Sequence, residues 1–131
     1  MCLASKFLKE VKTLKRRIDD ERENLTNLLS DLDKEMSRLY HNVEATNFNA
    51  AEGYCYAKKM QDTLRKRRVV KQELQKLHSL STNMNFEVVN ELLGTTEKNL
   101  SRTISRIHKE EMQFSQNWKE NYRVEDLLQV H

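Results

Sequence analysis

Residues 86–122 read FEVVNELLGTTEKNLSRTISRIHKEEMQFSQNWKENY, and within them Phe86, Val89, Leu93, Leu100, Ile104, Ile107, Phe114, Trp118 and Tyr122 recur at helical intervals. Apolar side chains three and four residues apart line one face of a helix. Proline, which would break such a run, is absent from the whole chain. The other end repeats the pattern: Phe7, Val11, Leu14, Ile18, Leu25, Leu29, Leu32, Met36, Leu39 and Val43 form a second long stripe. Between them a shorter stripe carries Tyr54, Ala57, Met60, Leu64, Val70, Leu74 and Leu77. The expected fold is therefore all-α, with three long helices in an extended up-down-up bundle.

The punctuation supports that division. Thr46-Asn47-Phe48-Asn49 is a cluster whose side chains compete for backbone hydrogen bonds, and Asn49 with Glu52 has capping-box spacing. The first helix is expected over about residues 3–45 and the second over about 50–80. A Ser, Thr and Asn-rich segment, Ser79 to Asn85, then leads into a third helix over about 86–122, and a short amphipathic turn over about 123–130 ends the chain. Gly94-Thr95-Thr96 is a possible break in the third helix, but the stripe across it favours a continuous one. The first stripe averages 3.6 residues per step if Glu21 fills its gap. That is the period of a straight helix, whereas 3.5 is the period of a strict heptad. Leu28 and Leu29 both present themselves to the seam.

Composition bounds the class. The chain has 131 residues, 37% hydrophobic and 33% charged, which suits a single helical domain whose long helices expose much of their surface. The start lacks the pattern of a secretory leader and no run is long and apolar enough to span a membrane, so a cytoplasmic setting is expected. Cys2 and Cys55 lack metal-ligand spacing and are expected to be plain thiols. Asn24-Leu25-Thr26 and Asn99-Leu100-Ser101 match a glycosylation pattern that matters only outside the cytoplasm. No glycine-rich phosphate loop and no nucleophile motif occurs. His41 with Glu44, and His108 with Glu111, share helical faces, but the paired Glu and Glu-x-x-His sets of bundle metal sites are missing. Neither an enzyme nor a cofactor is expected.

The lengths point to binding. If the second helix folds back on the first and the third folds back on the second, the second is too short to cover its neighbours. It reaches the first helix back to about residue 16 and the third out to about residue 114. Leu3, Phe7, Val11 and Leu14 then overhang at one end, and Trp118, Tyr122, Val124, Leu127 and Leu128 at the other. Each apolar side chain is worth roughly 1.5–3 kcal/mol when buried. These overhanging ends are therefore expected to bind protein, as a homo-oligomer, with a dimer favoured, or against a partner of another kind.

A second reading follows from charge. The net charge is +3, and the basic residues gather in two runs. One holds Lys12, Lys15, Arg16 and Arg17, within a segment from Lys6 to Arg17 opposed only by Glu10; the other holds Arg65, Lys66, Arg67, Arg68 and Lys71. Basic clusters are the electrostatic footprint of nucleic-acid binding. The second run is expected to lie beside acidic residues of the first helix, so that neutralisation within the fold competes there with phosphate binding, whereas the first run lacks an expected acidic neighbour. Arg67 falls on the seam and calls for a carboxylate from Asp31, Asp33 or Glu97. No aromatic residues interleave with either run as a single-strand binder needs.

The stretch Tyr40-His41-Asn42-Val43-Glu44, through Asn47-Phe48-Asn49-Ala50-Ala51-Glu52-Gly53-Tyr54, to Leu64-Arg65-Lys66-Arg67-Arg68-Val69-Val70-Lys71-Gln72-Glu73-Leu74 resembles the central segment of small helical accessory proteins of Gram-positive phages and prophages. That family has no assigned activity, so no functional residue carries over. What the resemblance implies is a phage-encoded protein that occupies a surface of a host protein, such as a defence nuclease or a polymerase.

Overall fold

A computed structural model describes residues 2–114 and 123–129. The chain is all-α: α1 spans Leu3–Ala45, α2 Ala50–Asn83, α3 Phe86–Phe114 and α4 Val124–Gln129. At 1.5 Å per residue, the 43 residues of α1 make a rod of about 65 Å. The other two long helices are laid against this rod.

α1 and α2 form an antiparallel pair with a heptad seam. On α1 the positions withdrawn from solvent from Ile18 onward include Arg22, Leu25, Leu29, Leu32, Met36, Leu39 and Val43, in strict alternation of four and three residues. On α2 they are Gly53, Tyr56, Met60, Thr63, Arg67, Val70, Leu74, Leu77 and Ser81, in the same alternation. Both helices keep the 3.5-residue period of a coiled coil, not the 3.6 that the first stripe suggested. Arg22 rather than Glu21 occupies the seam, and Leu28 is displaced to its flank, 45% exposed.

The inner face of α2 also differs from the expected stripe. Tyr54 and Leu64 are 64% and 46% exposed, and Ala57 is exposed too. Thr63, at 6%, takes the place expected for Leu64. Its hydroxyl donates to the Lys59 carbonyl at 2.9 Å, so it enters the seam with its polar group satisfied. Ser81 does the same toward Leu77 at 2.9 Å. Among the described residues no buried side-chain nitrogen or oxygen lacks a hydrogen-bond partner. Arg67 meets the expectation of a carboxylate: its Nε–H donates to Asp33 at 2.5 Å, with its side chain 36% exposed.

The tip of the pair is closed by Asn49, whose side chain accepts from the Glu52 amide at 2.9 Å and caps α2. Phe48 folds onto Tyr56 with ring centroids 5.6 Å apart. A Cβ on Gly53 would lie 3.1 Å from the Phe48 ring, so the glycine admits that close approach.

The path of α3 corrects the expected up-down-up order. α2 continues to Asn83, past the stop expected near residue 80, because the Ser81 hydroxyl turns back onto its own helix instead of interrupting it. Only Met84 and Asn85 then separate α2 from α3. Met84 keeps right-handed helical angles, while Asn85 takes the left-handed conformation at φ 49°, which asparagine tolerates better than most residues. One left-handed residue deflects the chain without reversing it. α3 therefore keeps the general direction of α2 and packs on α1. Lys15 lies over the Phe86 ring at 5.2 Å, Lys12 meets Glu97 at 2.9 Å, and Leu100 and Ile104 share a groove with Ser5 and Leu8. Numbers fall along α1 as they rise along α3. The long helices run up, down and down, and α3 is unbroken through Gly94.

Candidate functional site

The N-terminal third of α1 is where the packing leaves a surface over. Carried on from Val43 toward the N-terminus, the heptad seam passes through Ile18, Lys15, Val11 and Leu8. α3 sits to one side of that line, against Ser5, Leu8, Lys12, Arg16 and Asp19. The other side carries Leu3, Phe7 and Leu14, which are 37%, 57% and 54% exposed, with Val11 beside them on the line itself at 49%. These four were expected to be bare because helix 2 is too short to reach them. α2 ends at Asn83, short of them as expected, and α3, which arrives at this end of α1, takes the opposite flank instead of covering them.

The same flank continues past Ile18. Leu28 projects from it, and an apolar groove between α1 and α2 is lined by Leu28, Leu32, Val69 and Val70, with Arg65 and Lys66 along it. Val69 is 60% exposed and Leu80 40%. Long cations can lay aliphatic stems along such a groove while the charged heads stay in water. Sequence reasoning missed this groove. Its one signal was the Leu28-Leu29 doublet, in which only one leucine fits a heptad seam.

The remaining predicted protein-binding residues divide. Val124, Leu127 and Leu128 lie on α4 and are 48%, 52% and 62% exposed, beside the acidic Glu125 and Asp126. Trp118 and Tyr122 fall outside the described residues.

The basic runs are partly spent within the fold. Contrary to the expectation that Lys6 to Arg17 has no acidic neighbour, α3 brings Glu97 to Lys12 at 2.9 Å. Lys15 pairs with Asp19 at 2.6 Å, and its side chain is only 14% exposed. In the second run Arg67 is held by Asp33, and Lys66 by Asp62 of its own helix at 2.8 Å, a hydrogen bond that raises the Lys66 pKa. Arg16, Arg17, Arg65, Arg68 and Lys71 are exposed.

The two histidine-carboxylate pairs do not converge. The direction of α3 carries His108 and Glu111 toward the N-terminal end of α1, away from His41, Glu44 and Gly53 at the α1–α2 tip. Among the described residues no group of three or more His, Cys, Asp or Glu is placed to hold a metal ion. Cys2 and Cys55 are exposed thiols, and the Ser5 hydroxyl, hydrogen-bonded to Cys2 Sγ, lowers the Cys2 pKa. No described helix is long and apolar enough to cross a membrane. Comparison with models of protein families, with curated proteins and with solved structures gives no match.

Proposed function

We infer that this chain is a non-enzymatic protein-binding regulator or inhibitor, acting in the cytoplasm as a homo-oligomer that occupies a surface of another protein. The observation that carries this reading is the uncovered row Leu3, Phe7, Val11 and Leu14, on a rigid helix whose opposite flank is already packed. An apolar helix face of this length is what helix-in-groove recognition uses. The resemblance over residues 40–74 suggests the setting, a phage-encoded protein acting on a host protein such as a defence nuclease or polymerase.

The experiment is a pull-down from host lysate with the full chain and with Phe7→Asp/Leu14→Asp, followed by titration of the captured protein's activity with the purified chain. Stoichiometric inhibition by the full chain, lost in the variant, supports the reading. Equal capture by both proteins removes the row from it.

The exposed cations Arg16, Arg17, Arg65, Arg68 and Lys71 favour a second reading, nucleic-acid binding. Phosphate contacts weaken steeply with salt. A mobility shift that is present at low salt and lost at moderate salt supports this reading, and no shift at low salt ends it.

A further inference from the structure

We propose that the uncovered flank of α1 is a two-fold interface, in which α1 of a second copy lies antiparallel and seats its Phe7 in the groove of Leu28, Leu32, Val69 and Val70. The proposal rests on the self-association in the reading above and adds its partner, geometry and register.

Three observations converge on a second copy. The first is length. From Leu3 to Leu28 the flank runs about 38 Å, with Leu3, Phe7, Val11, Leu14 and Leu28 each 37–57% exposed. An apolar strip of this length is matched in length by the same strip of a second α1.

The second is charge. α1 is segregated along its length. Lys6, Lys9, Lys12, Lys15, Arg16 and Arg17 fill its first third, and Asp19, Asp20, Glu21, Glu23, Asp31 and Asp33 dominate the stretch that follows. A parallel second copy would set like charge on like. Lys12, Arg16 and Asp19 face α3, Lys15 is paired with Asp19, and Asp33 holds Arg67. Of the exposed charges on the uncovered flank, an antiparallel copy centred near Arg17 and Ile18 brings Arg17 near Glu21 and Lys6 near Asp31 of the other copy.

The third is shape and spacing. Phe7, Leu14, Glu21 and Leu28 occupy one row at seven-residue intervals along the flank. The antiparallel register centred there sets Phe7 opposite Leu28 and Leu14 opposite Glu21, twice by symmetry. An aromatic side chain exposed on each copy thus meets an apolar groove exposed on the other. This is the self-complementary arrangement that a closed dimer requires.

The test uses the full-length chain with Cys2→Ser and Cys55→Ser as background. Phe7→Cys with Leu28→Cys in one chain is expected to give a disulfide-linked dimer under mild oxidation. Phe7→Cys alone is expected to stay uncrosslinked. Residues 7 and 28 of one rigid helix are about 31 Å apart, so a bond between them is necessarily intermolecular. In the cysteine-containing wild type, Phe7→Asp is expected to weaken the dimer by about thirtyfold or more, the usual loss for an aromatic anchor, with unchanged helical circular dichroism. Efficient crosslinking by Phe7→Cys alone overturns the antiparallel register. A dimer by sedimentation that yields no crosslink in the double variant overturns this interface while leaving self-association standing, and points to α4. A wild-type chain that sediments as a monomer at high micromolar concentration overturns both.

Discussion

Replacing Leu39 and Leu64 separately by alanine compares two leucines that look alike in the sequence and differ sharply in the fold. Leu39 is 1% exposed, the largest fully buried side chain among the described residues, whereas Leu64 is 46% exposed. Leu→Ala at a buried site costs about 2–5 kcal/mol, through lost transfer free energy and the cavity left behind. Leu39 lies on the seam with Met36 and belongs in the upper half of that range. Leu64, little more than half buried, stands to lose about half of the 1.5–3 kcal/mol of a buried leucine, so about 1 kcal/mol, with no enclosed cavity. At roughly 2.1 cal/mol/K of unfolding entropy per residue, 1 kcal/mol moves the melting temperature of this chain by about 4 °C. Thermal melts at fixed protein concentration are therefore expected to drop by roughly 12–18 °C for Leu39→Ala and by about 4 °C for Leu64→Ala. Equal shifts, or a larger one for Leu64→Ala, would refute the heptad register of α2 and restore the stripe through Ala57 and Leu64.

Gly94→Ala is expected to raise the melting temperature by about 3–4 °C. A Cβ there meets nothing within 4 Å, and alanine gains about 1 kcal/mol over glycine inside a helix; a lower melting temperature would show that α3 is broken or crowded at this point. The Glu35 carboxyl is held below its ordinary pKa of 4.5 by hydrogen bonds from Arg38. The stabilisation it contributes is therefore complete above that value and is lost as pH falls through the lowered pKa. Glu35→Gln is expected to flatten the fall in melting temperature across that acidic window, and an unchanged slope contradicts this. Leu127→Asp or Leu128→Asp is expected to preserve helix content, since α4 is exposed throughout, while impairing partner capture or assembly. Size-exclusion chromatography with circular dichroism checks both variants, and outright melting of either would make α4 part of the core.

The helical class was legible because its causes are local: long stripes at helical spacing, no proline, and Asn49 with Glu52 at the one clear cap. The face of α2 was not. Hydrophobicity draws the eye to Ala57 and Leu64, yet the seam runs through Gly53 and Thr63, each admitted by something that sequence spacing does not display, whereas Arg67 was legible on the seam with Asp33 among its candidate partners. Gly53 makes room for the Phe48 ring, Thr63 satisfies its hydroxyl on Lys59, and Arg67 finds Asp33 across the pair.

The direction of α3 turned on a single residue. A cluster of Ser, Thr and Asn reads as a reversing loop, but its hydroxyls can equally bond back to the helix that carries them, as Ser81 does. What remains is Asn85 alone outside right-handed helical space. That one change moves Glu97 to Lys12, carries Glu111 away from the α1–α2 tip, and gives the basic start of α1 an acidic neighbour. The apolar row Leu3, Phe7, Val11 and Leu14 was visible as a row. Its exposure depends on which flank α3 takes, which no spacing along the chain encodes.

Sedimentation equilibrium on the full chain, beside Phe7→Asp, tests most directly whether this helix flank is made for association. The expected result is twice the 15.6 kDa chain mass for the wild type at micromolar concentration, and the single chain mass for Phe7→Asp with its helix content intact. A wild-type protein that remains at the single chain mass up to high micromolar concentration would contradict it.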